Sequence, residues 1–130
     1  LKFKKQKMTS HEIYGQLGAV GTLIALFNEM GATDGNFDPR EFSSLQSAAE
    51  NYTEEDIDPI WDKVLEIRSE ILPSGMINYL KEILPLMEKS MDDDTKRSIL
   101  VDLKDIAEAD GKIDPKEQEL FKLVVSIFVG

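Results

Sequence analysis

A chain of 130 residues, 42% hydrophobic and 31% charged, has the balance of one folded domain that buries a core without disulfides or a metal staple. It has no cysteine and a single histidine, His11, which excludes thiolate zinc sites, iron–sulfur clusters, a cysteine nucleophile and any multi-histidine centre. The formal charge is −10, and because Lys2, Lys4, Lys5 and Lys7 crowd the first seven residues, the remainder carries −14. Such a body repels phosphate backbones, so nucleic acid is not an expected partner, whereas cations and basic protein surfaces are.

Residues 1–8 read as a tag-like or disordered basic leader, with Met8 a candidate native start, and residues 9–130 as one helical domain. Ser10 is expected to cap a first helix whose Ile13, Leu17, Val20, Ile24 and Phe27 recur at helical spacing. Gly15, Gly18, Thr22 and Ala25 form a second stripe on it, where close packing of a neighbour is expected. The uncharged stretch from Ile13 to Asn28 is shorter than the roughly 20 residues a membrane span needs. No membrane partner is expected. No secretory signal is visible, and with cysteine absent a cytoplasmic location is expected.

Asp38-Pro39 opens a second helix with Phe42, Leu45 and Ala49 inward. Thr53 is expected to cap a third, carrying Ile57, Ile60, Trp61, Val64, Ile67 and Ile71, which Pro73-Ser74-Gly75 breaks. A fourth shows Ile77, Leu80, Leu84, Met87 and Met91, with Pro85 expected to kink or split it. A fifth starts near Asp94 with Ile99, Leu103 and Ile106. Asp114-Pro115 opens the last, which is apolar nearly all round after Lys122 and is expected to be a central, buried helix. Nothing alternates as a strand would. The expected fold is all-α: a compact single-domain bundle of about six helices.

Two segments of this chain match each other without a gap. Asp34-Gly35-Asn36-Phe37-Asp38-Pro39-Arg40-Glu41 and Asp110-Gly111-Lys112-Ile113-Asp114-Pro115-Lys116-Glu117 share Asp, Gly, Asp, Pro and Glu at a constant offset of 76. Their flanks agree in type: Leu23 with Ile99, Phe27 with Leu103, Leu45 with Phe121, Ala48 with Val124. This is a duplicated helix–loop–helix unit.

Helix capping explains much of it. Gly35 and Gly111 suit a left-handed residue after a helix end, Asp38 and Asp114 are N-caps, the prolines fall at the first helical position, and Glu41 and Glu117 complete capping boxes. Capping does not explain Asp34 and Asp110. A carboxylate at a helix C-terminus opposes the dipole by about 0.3–1 kcal/mol, and Glu29, Asp105 and Glu108 add to the negative charge there. A bound cation reverses that penalty, and carboxylates either side of a glycine turn are hard oxygen ligands for calcium or magnesium. An ordinary EF-hand does not fit, because the first ligand position holds Met30 in one copy and Ile106 in the other.

Each copy resembles the helix–Ala-Asp-Gly–helix signature of the TerB-like family, the tellurite-resistance group, through Ala32-Thr33-Asp34-Gly35 to Glu41 and Glu108-Ala109-Asp110-Gly111 to Glu117. The resemblance covers the chain from about Ser10 to its end. It implies an intracellular all-helical module, related to tellurite resistance and stress and found also on a co-chaperone, with a divalent-metal site formed by these acids. The expected ligands are Asp34, Asp38, Glu41, Asp110, Asp114 and Glu117. The alternative is a non-catalytic protein-interaction domain in which the loops only cap helices. No enzyme is expected: no pair of acids stands in a catalytic context, and His11 sits near a helix start. Trp61 and the methionines lie at core spacing.

Overall fold

The computed structural model describes residues 8–31, 39–71, 75–108 and 115–129, with the backbone alone at 39–44. Every regular element among them is a helix: α1 (Ser10–Gly31), α2 (Pro39–Glu50), α3 (Ile57–Glu70), α4 (Gly75–Glu88), α5 (Asp93–Glu108) and α6 (Pro115–Phe128). The centre of the bundle is α1, which packs against each of the other five. From Gly21 to Gly31 every residue of it is buried. The expectation that α6 holds the centre is therefore corrected. Only Glu117, Leu120, Val124 and Phe128 of α6 are buried, with Phe121, Leu123 and Ile127 half-covered at the sides.

Thr9, not Ser10, caps α1. The Glu12 N–H donates to Thr9 Oγ1 at 3.1 Å and the Thr9 N–H donates to Glu12 Oε1 at 3.2 Å, a reciprocal capping box. Ser10, already helical, donates from its hydroxyl to Glu82 of α4. The third helix likewise starts at a later cap: Asp56 accepts from the Asp58 N–H at 3.1 Å, while Thr53 only closes a turn onto the Glu55 N–H. Asp92 caps α5 by accepting from the Thr95 N–H at 2.7 Å, and that bond draws its carboxyl below the usual range.

The glycines of α1 have different causes from the one expected. A Cβ at Gly15 or Gly18 would meet nothing within 4 Å, so neither admits a close neighbour. Close approach falls instead at Gly21, where a Cβ would lie 2.9 Å from Leu17 Cβ and 3.6 Å from Ile60. Gly18 is needed for its backbone: φ 69°, ψ −171° divides α1 at a kink, a conformation that is essentially glycine's alone. The kink is braced from the side. Thr22 Oγ1 lies 2.6 Å from the Gly18 carbonyl oxygen and 2.6 Å from the Tyr79 hydroxyl of α4, so the tyrosine closes a buried chain of bonds onto the bend. Burial pushes the Tyr79 phenol up to about 12, against a smaller opposite pull from Thr22. Gly18→Ala should cost about 1–3 kcal/mol through backbone strain, whereas Gly15→Ala should stabilise by up to about 1 kcal/mol. Urea denaturation of the two variants checks this; equal effects of one sign would show that the kink is not a glycine requirement.

Pro85 does not split α4, which runs on to Glu88. It stands in the last turn, where one lost backbone bond is outweighed by burial of Leu80, Ile83, Leu84 and Met87. The buried face also takes in Met76 and Tyr79 and leaves Ile77 at its margin. Tyr52, between α2 and α3, stacks at a tilt on Phe27 with ring centroids 5.8 Å apart. Its hydroxyl donates to Asp102 of α5 at 2.6 Å, and burial together with that carboxylate raises its pKa. Trp61 is a core residue whose Nε1–H donates to Asn28 Oδ1 at 3.3 Å. Among the described residues no helix is long and apolar enough to cross a membrane.

Candidate functional site

The duplicated loops leave α1 and α5 and enter α2 and α6. Asp34, Asp38, Asp110 and Asp114 lie outside the described residues, as does the side chain of Glu41. Of the six expected ligands, Glu117 alone has a described side chain. It stands in the first turn of α6 and is only 4% exposed. Among the described residues no group of three histidine, aspartate or glutamate side chains is gathered closely enough to hold an ion.

The helix ends that flank the two loops meet. A Cβ on Gly31, the last residue of α1, would lie 3.6 Å from Ile106 Cγ2 in the last turn of α5 and 3.1 Å from Leu45 Cδ1 of α2. A Cβ there would make ordinary contact with Ile106 and crowd only Leu45 of α2, which is a physical reason for a small residue three positions before Asp34. Three of the repeat's four flanking correspondences agree in burial. Leu23 and Ile99, Phe27 and Leu103, and Ala48 and Val124 are buried as pairs, and Leu45 is buried where Phe121 is half-covered.

Glu29 has a partner that the sequence does not show. It is buried near the end of α1, 5% exposed, and Arg68 Nε of α3 donates to its Oε1 at 2.6 Å. A carboxylate here opposes the helix dipole, and the guanidinium offsets it from the neighbouring helix. The charge at the end of α1 is thus answered within the fold for Glu29. The two residues are 39 apart in the chain, so only the packing of α3 on α1 brings them together. His11 is exposed on the first turn of α1.

The tellurite resistance protein TerB family matches residues 21–129 of this chain. The chain belongs to that family. The match includes both Asp-Gly loops and all six helices, with only the first part of α1 before it. The all-helical TerB fold is what the structure displays. Comparison with curated proteins and with solved structures gave no match.

Proposed function

We propose that this TerB-family module binds a divalent cation, calcium or magnesium, through its duplicated Asp-Gly-x-x-Asp-Pro-x-Glu loops. Asp34, Asp38 and Glu41 with Asp110, Asp114 and Glu117 are the ligands. The donor chemistry fits, since all six are carboxylates, the hard oxygen ligands such ions take. The observation that carries the reading is the meeting of the loops' flanks at Gly31 and Ile106, together with the burial of Glu117 in the first turn of α6. The helix contacts support it: α1 packs on α2 and α6, α5 packs on α6 and α2, and α1 packs on α5. Two repeated units related by a twofold axis produce that pattern. The role is binding rather than catalysis, in a cytoplasmic setting, and a protein that recognises the metal-loaded module is its expected partner.

One chemical difference separates the loops. Asn36 follows the first glycine and Lys112 the second. Asn offers a neutral oxygen, whereas Lys repels an ion and neutralises a nearby carboxylate, an effect of about 1 kcal/mol. Asp34→Ala should therefore reduce calcium or magnesium affinity more than Asp110→Ala, and Lys112→Asn should strengthen the second loop. Calorimetric titration of each variant, with thermal melts as a check on folding, tests this. Equal losses from the two alanine variants would mean one shared ion rather than two unequal sites.

A further inference from the structure

A cleft of about 780 Å³ lies between α4 and α6, with Glu29 of α1 and Arg68 of α3 also in its lining. Its chemistry runs against that of the rest of the chain. Ile77 of α4 and Leu120 and Leu123 of α6 give it an apolar floor. Arg68, Lys81, Lys116 and Lys122 also line it. Two acids face them: Glu29, which is buried and already bonded to Arg68, and Glu119. Its described lining residues therefore carry an excess of two positive charges in a chain whose formal charge is −10. Lysine stems lie along apolar surface while their ammonium groups reach water, so Lys81 and Lys122 frame an opening over a greasy floor.

We infer that this cleft is a binding site for a small amphipathic anion, a carboxylate carried on an apolar chain or ring. Three observations select that class. The volume falls within the roughly 300–1,000 Å³ of small-molecule sites. Only an apolar ligand body covers Ile77, Leu120 and Leu123 favourably. Charge complementarity selects an anionic head, because the cationic side chains come from three helices and surround the cleft. Arg68 is held by Glu29 at 2.6 Å, and Lys81, Lys116 and Lys122 have no ion pair among the described residues, which makes them the groups to meet a carboxylate. Glu117, the proposed cation ligand whose side chain is described, does not line this cleft, although its neighbour Lys116 does.

The test is calorimetric titration of the whole chain in the presence of chelator, with decanoate, decanol and acetate as probes. Chelator separates it from the cation reading: decanoate binds whether or not the loops hold metal. Decanoate is expected to bind at least about ten-fold more tightly than decanol, which has the same body without charge, and than acetate, which has charge without the body. The double variant Lys81→Glu with Lys122→Glu changes two exposed side chains. It is expected to weaken decanoate at least about ten-fold while its melting curve stays that of the parent. No heat with decanoate, equal affinity for decanol, or undiminished decanoate binding by the charge-reversed chain would each overturn the inference.

Discussion

Phe27→Ala should lower the melting temperature by roughly 10–25 °C. Phe27 is 1% exposed, lies in the continuously buried stretch of α1, and carries Tyr52 against its ring. Removing a buried phenylalanine side chain costs about 3–5 kcal/mol, because the lost transfer energy is joined by the cavity left behind. That is a large share of the roughly 5–15 kcal/mol by which a domain is stable. The effect should spread to α5, since Tyr52 bonds to Asp102 there. Leu86→Ala is the matched control: Leu86 is 54% exposed on α4, and its loss should stay within about 0.5 kcal/mol. Thermal melts of both variants decide it. A Phe27→Ala melt within two or three degrees (roughly 0.5–1 kcal/mol) of the parent would mean that α1 is not the centre of the bundle.

Arg68→Met should destabilise by about 1–3 kcal/mol, less than the loss of a fully buried pair, because the Arg68 side chain is 42% exposed and water reaches it. The methionine keeps most of the apolar stem, so the loss is of the charge and its bond to Glu29. What remains is a buried carboxylate near the negative end of α1. Adding Glu29→Gln to Arg68→Met should recover most of the stability, since a neutral amide has a much smaller desolvation cost. A double-mutant cycle in urea measures this coupling. Additive losses would show that the pair contributes nothing beyond its separate side chains.

The ease with which each element reads from sequence follows from how sharply its apolar residues are confined to one face. In α5 Leu100 and Val101 are apolar too, but Ile99, Leu103 and Ile106 recur at helical spacing among its charged residues, and these three are fully buried. Helix α4 is richer in apolar residues and admits more than one stripe; the stripe used includes Met76, Tyr79 and Ile83, which a search for the longest aliphatic series passes over. The C-terminal half of α6 misleads for the same reason. Leu123, Val125 and Ile127 make it apolar all round, yet they sit at half-covered flanks, and Leu123 floors the cleft. Gly18 in a helical pattern does not distinguish close packing from a kink, because both ask for the same residue. The cap of α3 is a contest between Thr53 and Asp56, settled because helical burial begins at Ile57.

Of the candidate site, the duplication and the TerB resemblance are legible because they depend on residue identity at fixed spacing. The Glu29–Arg68 pair and the basic cleft are not, since each joins side chains from helices distant in the chain. The positions of Asp34, Asp38, Asp110 and Asp114 lie outside the described residues.

Thermal melting of the chain in chelator and then in calcium or magnesium at about 100 times the dissociation constant found by titration tests the cation reading most directly. A ligand that binds only the folded state at that concentration adds about 2.7 kcal/mol, which for a domain of this size raises the melting temperature by roughly 8–13 °C. The predicted result is such a rise, reduced in Asp34→Ala. Superimposable melts with and without millimolar metal, and no heat on titration, would contradict it and leave the two loops as helix caps alone.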